Sequence, residues 1–218
     1  MPRALFEKRG NALYISHLDL MRVFQRAFKR AGLSLTHTKG FNPRPSVSIA
    51  LPLSLGVESG CELLDFELEG APVNNEEICR RLNESLIDGV RVLLVYDDMR
   101  KLKELAYLDC QICLEYDNGV PSGADHQIRE LFERSSLVVE KKGKNGITEQ
   151  DIIPMIRRVT VDADEREVCL NARICCQNPS LNPMQLSAAI TKYLPDLKPD
   201  FVRCCRVEVL DTKETVFR

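Results

Sequence analysis

Arg22, Arg26, Lys29 and Arg30 recur at helical spacing, and a short loop-like segment, Thr36-His37-Thr38-Lys39-Gly40-Phe41-Asn42-Pro43-Arg44-Pro45, follows them. Cationic side chains gathered in this way hold phosphates, and an aromatic ring among them offers a stacking surface to an unpaired base. Gly40 permits close backbone approach. The prolines on either side of Arg44 bias its backbone toward an extended form, so less entropy is lost when it engages a ligand. The pattern therefore points to an RNA-binding surface made by Arg22, Arg26, Lys29, Arg30, Lys39, Gly40, Phe41, Asn42 and Arg44. Plainer readings stand beside it: the basic residues solvate a surface helix, with Lys29 and Arg30 complementing its C-terminal dipole, and Phe41 plugs a sheet edge.

Catalytic signatures are weaker. His17 falls at the start of the same helix, where a neutral imidazole can act on an RNA hydroxyl with cations nearby, although capping or packing of the helix entry is the favoured reading. His37 and His126 have no evident partner. The sequence contains no P-loop, no G-x-G-x-x-G and no H-E-x-x-H. Asp65, Glu67 and Glu69 fall on one face of a strand and read as a solvated surface rather than a metal site. Cys110 and Cys113 form the one C-x-x-C, but inside a strand-like run, where residues three apart point to opposite faces. Cys175-Cys176 and Cys204-Cys205 also occupy expected strands; were those strands neighbours, several thiols would converge on one face. Packing as small hydrophobes is the expected role of the cysteines, with no metal and no cofactor.

These residues need a scaffold, and 218 residues suffice for one large or two small domains. With 44% hydrophobic and 28% charged residues the chain can bury a proper core, and collagen, coiled coil and long disordered tails are excluded. The first residues carry no apolar signal-peptide core and no run is long enough to span a bilayer, so a cytoplasmic protein without membrane contact is expected. Nine cysteines, an odd number, then read as reduced thiols. The net charge of −2 hides an asymmetry: residues 1–50 hold nine Lys/Arg against two Asp/Glu, and residues 51–100 hold four against eleven. The first segment can attract an anion.

Periodicity gives the order strand, helix, strand, strand, helix, strand twice. In residues 1–98, extended pieces at 5–8 and 12–16 precede a helix over 17–31 opened by Ser16-x-x-Asp19 and stopped at Gly32. Strands over 46–53 and 62–69, a helix over 75–87 and a strand over 91–96 complete that half. In residues 104–218 a similar order returns: strand 106–116, helix 125–135, strand 137–141, an insertion with a helical turn in 148–157, a hairpin from 159 to 176, a helix up to Leu194 and strand 201–210. The expected fold is α+β: two ferredoxin-like units with antiparallel sheets, the second decorated.

Phe6-Glu7-Lys8-Arg9-Gly10, Ser16-His17-Leu18-Asp19-Leu20-Met21-Arg22, Gly40-Phe41-Asn42-Pro43-Arg44-Pro45 and Leu53-Ser54-Leu55-Gly56-Val57-Glu58-Ser59 together resemble an uncharacterised bacterial domain family. Its members occur alone or fused behind cobalamin-binding radical S-adenosylmethionine proteins. The resemblance implies a helper or substrate-recognition role, with tRNA or other RNA modification as its setting. The Cys-x3-Cys-x2-Cys run of radical enzymes is absent here, so the radical partner is expected to be a separately encoded protein. The leading expectation is an RNA-binding or adaptor module without catalysis of its own. Two others differ in class: an endoribonuclease using His17 with Lys39 or Arg44, and a protein-interaction domain whose basic face meets the Glu-rich 58–84 region of another copy.

Overall fold

The computed structural model describes residues 2–143 and 146–218. It is a mixed α+β structure with four α-helices among the described residues, divided into two compact units, Met1–Leu102 and Lys103–Phe217.

In the first unit the chain runs β1 (Pro2–Lys8), α1 (His17–Arg30), β2 (Val47–Ile49), β3 (Val57–Phe66), α2 (Asn75–Ser85) and β4 (Val90–Asp97). The strands lie antiparallel in the order β4-β1-β3-β2. Helix α1 forms where expected: the Ser16 hydroxyl accepts from Asp19 N at 3.2 Å and donates to the Asp19 carboxylate at 2.7 Å, satisfying a free helix-end donor. Leu20, Phe24, Ala27 and Phe28 face inward, and ring contacts of 4.7 Å (Phe6–Phe24) and 4.9 Å (Phe28–Phe66) weld the helix to the sheet.

Three local expectations are corrected in this half. Residues 12–16 are not a strand; Gly10–Tyr14 is a 3-10 turn. Its cause is Lys8, a fully buried lysine whose ammonium donates to the carbonyls of Leu13 (3.2 Å) and Ile15 (3.0 Å), pulling the chain into a coil. Gly89 seals this corner: its φ is +81°, its carbonyl accepts from Arg9 N at 2.8 Å, and a Cβ there would stand 2.4 Å from the Arg9 carbonyl. The expected strand over 46–53 shrinks to Val47–Ile49, because Pro52 and the following residues leave the sheet. Asp65 is not a solvated surface residue. It is buried and receives the Arg3 guanidinium at 2.6 and 3.1 Å, and Arg3, itself 2% exposed, also reaches Asp98 at 2.7 Å.

The second unit contains β5 (Leu105–Glu115), α3 (Ala124–Phe132), β6 (Val138–Gly143), β7 (Gly146–Asp151), β8 (Ile156–Ala163), β9 (Glu167–Cys175), α4 (Met184–Tyr193) and β10 (Phe201–Asp211). Its main sheet is antiparallel in the order β10-β5-β9-β8, and β6 and β7 make a separate two-stranded hairpin. The inserted segment is therefore largely strand, and helical geometry is confined to a 3-10 turn over Ile153–Met155. Alternation at Ile147, Glu149 and Asp151 on a short polar run is too weak to distinguish the two from pattern alone.

The expectation of uniformly reduced thiols also fails. Cys113 on β5 and Cys169 on β9 are directly opposite in register, with Cα atoms 4.1 Å apart, and their sulfurs are joined. A separation of 56 residues along the sequence concealed this pair.

Candidate nucleic-acid interface

Residues 36–46 fold as a small hairpin of their own. Thr36 N donates to Glu67 O (2.9 Å), anchoring the base to the end of β3, and Ser46 N donates to Thr36 O (2.8 Å). Farther out, Thr38 N donates to Arg44 O (2.8 Å), and Arg44 N donates to the Thr38 hydroxyl (3.0 Å). These bonds use up the polar backbone of the arms and leave Lys39, Gly40, Phe41, Asn42 and Pro43 as a projecting tip, all exposed. Gly40 has φ +149°, a conformation that favours glycine.

Phe41 is 101% exposed. The sheet-plug reading of this ring is thus corrected: no part of it is packed. An apolar ring held wholly in water at the apex of a loop, with Lys39 two residues before and Arg44 three after, is placed to stack on a flat partner.

Helix α1 offers its exposed face as expected, yet its four cations differ in availability. Arg22 Nη1 lies 2.7 Å from Asp19 Oδ1, an exposed pair one turn apart. Asp19 is held below the usual carboxylate range, first by the Ser16 hydroxyl and then by Arg22. Arg30, also exposed, donates to the carbonyl of Ser85 at the end of α2 and so caps a neighbouring helix. Arg26, Lys29, Lys39 and Arg44 have no ion-pair partner among the described residues.

The helix and the hairpin meet at one groove of about 420 Å³, lined by Gln25, Lys29, Ser34, His37, Pro45 and Glu69 among others. Lys29 and His37, from the two segments, share this wall, and Glu69 is the one carboxylate in it. A second groove, about 510 Å³, borders the base of the hairpin at Thr36 and is acidic, with Glu67 and Asp97 in its lining. The hairpin base thus borders both a cation-bearing groove and an acidic one.

His17 is elsewhere. It starts α1, and Lys29 lies twelve residues on, a rise of about 18 Å at helical pitch. The groove belongs to the far end of that helix, and His17 is not in its lining. Its Nδ1 is buried with no hydrogen-bond partner among the described residues. His126 lies 3.5 Å from Glu130, one turn on in its own helix. The acidic 58–84 region is largely occupied by its own neighbours: Glu58 faces Arg9, and Glu77 and Glu84 hold Arg80, with Arg81 also on Glu77. Burial pushes the Cys176 and Cys204 thiols up to about 12, so neither is a nucleophile near neutrality.

The chain is thus an α+β protein of two units whose first unit carries an exposed cationic hairpin. Residues 2–183 match the family described as "Uncharacterized protein conserved in bacteria (DUF2344)", and the chain belongs to that family. None of the curated proteins compared matches the sequence. Among solved structures, it is similar to a chain in the crystal structure of a Cbf5-Nop10-Gar1 complex, at 8% identity and a TM-score of 0.50. That alignment covers 95% of this chain and 48% of the other, so the chain spans about half its length, and the likeness concerns fold alone. A second match, an unknown protein from Galdieria sulphuraria, is 10% identical with a TM-score of 0.25, covering 94% and 96% of the two chains. No helix among the described residues is long and apolar enough to cross a membrane.

Proposed function

We propose that the first unit recognises single-stranded RNA, with phosphates held by Arg26, Lys29, Lys39 and Arg44 and a base stacked on Phe41. The single observation that carries this reading is the fully exposed ring at the tip of a backbone-braced hairpin flanked by unpaired cations. Arg22 contributes at the edge of the surface, since an exposed ion pair is worth little and can be exchanged for a phosphate. Arg30 contributes less, because one of its donors is held by the Ser85 carbonyl. Within this reading the chain is an accessory, substrate-recognising subunit of a separately encoded radical S-adenosylmethionine protein acting on tRNA or another RNA, without catalysis of its own. Both units are read as ferredoxin-like. In each, the fourth strand lies next to the first, then the third, then the second, and the β6–β7 hairpin is the decoration on the second unit.

Binding of a labelled single-stranded RNA to the full chain tests the proposal. Phe41→Ala removes the stacking surface and is expected to cost about 1–3 kcal/mol, roughly five- to 150-fold in Kd. Affinity unchanged in Phe41→Ala and in Lys39→Ala/Arg44→Ala would overturn it. RNA cleavage that disappears in His17→Ala would replace it with the nuclease reading.

A further inference from the structure

Alternate residues of a strand face the same side, so Cys113 and Glu115 of β5 share a face, as do Glu167 and Cys169 of β9. The β5–β9 register sets Cys113 opposite Cys169 and Glu115 opposite Glu167. On the other flank, β10 sets Arg203 opposite Cys113. The two sulfurs and a carboxylate oxygen of Glu167 all lie within 4.8 Å of one another. Arg203 fixes the glutamate: its Nε donates to Glu115 and its Nη2 to Glu167 Oε2, which leaves Glu167 Oε1 turned toward Cys169 Sγ at 3.5 Å.

We propose that this cluster is a redox-gated zinc site: Cys113, Cys169 and Glu167 bind one zinc ion when the cysteines are reduced and release it when they form their disulfide. Two thiolates and one carboxylate are donors that zinc accepts in tetrahedral geometry, at about 2.3 Å to sulfur and about 2.0–2.2 Å to oxygen, with the fourth position left to water or an outside ligand. Sulfurs on such an ion stand about 3.8 Å apart, within reach of cross-strand cysteines through side-chain rotation without moving either strand. A thiol reductant supplies the two electrons and two protons that break the S–S bond, leaving two Cys thiols and its own disulfide. Zinc binding then expels the two thiol protons. Oxidation by a disulfide-class oxidant removes both sulfur donors at once and leaves only Glu167, too little to retain the ion. Arg203 is a positioning residue in this scheme.

The test uses the full chain in both redox states. Protein reduced with a phosphine and desalted without oxygen is titrated with cobalt(II), which reports thiolate ligation by a sulfur-to-metal charge-transfer band. Zinc uptake is then followed against a chromophoric chelator. The reduced protein should take up one equivalent and show the band, and the oxidised wild type, a control that needs no substitution, should do neither. Cys113→Ser should abolish the band, Glu167→Gln should weaken zinc binding at least about tenfold, and Cys79→Ser, on the other unit, should change nothing. No uptake by the reduced wild type, equal uptake by both redox states, or a band that persists in a folded Cys113→Ser protein would overturn the site. None of these results bears on RNA binding by the first unit.

Discussion

If the exposed cations hold RNA phosphates, their number sets how steeply affinity falls with salt. Four of the proposed cations, Arg26, Lys29, Lys39 and Arg44, have no ion-pair partner to give up among the described residues. Each phosphate neutralised on a single strand contributes about −0.7 to the slope of log K against log salt, so four contacts give about −2.8. Replacing Lys39 and Arg44 by Ala should bring the slope to about −1.4, and replacing all four should leave only the smaller part that Arg22 and Arg30 contribute. Phe41→Ala should behave differently, lowering affinity at every salt concentration without changing the slope, since stacking releases no counterions. Binding isotherms across a salt series for the native chain and these variants measure all of this. A native slope near zero, or a slope unchanged by loss of all four cations, would refute the assignment, because the phosphates would then be held elsewhere. An equal effect of Arg30→Ala and Arg44→Ala would contradict the distinction drawn between the guanidinium that caps α2 and the one with no such partner.

The buried ion cluster of the first unit makes a sharper stability prediction. Arg3→Met leaves Asp65 and Asp98 without their shared cation and should cost about 3–5 kcal/mol in urea unfolding; a loss below about 1 kcal/mol would show that the two carboxylates find other partners. Acid should act through the same chemistry. Burial raises the Asp98 carboxyl, but hydrogen bonds from Arg100 and the charge of Arg3 overcome it, leaving it below its usual 3.8, and hydrogen bonds from Arg80 and Arg81 hold Glu77 at about 2 against a usual 4.5. Groups lowered in the folded state stabilise fully above their unfolded values and lose that contribution as pH falls through the folded ones. The urea midpoint should therefore hold steady down to about pH 4.5 and drop progressively toward pH 2, and a midpoint that rises over that interval would refute the sign.

Local signals were read correctly where one residue type decides the geometry. Ser16 with Asp19 marks the start of α1, and the i, i+4 recurrence of Leu20, Phe24 and Phe28 marks its inner face. What could not be read were features made by residues far apart in sequence. Asp65 looks solvated because its strand alternates acid and apolar residues, and only the β1–β3 register reveals that Arg3 lies opposite it. Lys8 reads as a surface lysine until the chain beyond it coils back over its ammonium. Arg30 shares a helix face with Arg26, yet its partner, the Ser85 carbonyl, is 55 residues away. Helical spacing sorts cations by direction but says nothing of which have already been claimed.

The same limit governs the cysteines. Cys110 and Cys113 attract notice as a C-x-x-C, but strand geometry sends them to opposite faces, and Cys110 meets the carbonyl of Ala172 while Cys113 meets Cys169. The informative pair was cross-strand, fixed by the register of β5 on β9, and register is written in the burial of Ile112, Leu114, Val168 and Leu170 on the covered face. A one-residue slip would send either cysteine to the opposite face and Glu167 with it. Core packing on one side of the second sheet therefore sets the geometry of the thiol–carboxylate cluster on the other. A cavity-forming change beneath it, such as Leu170→Ala, should loosen the cluster without touching any of its three ligands.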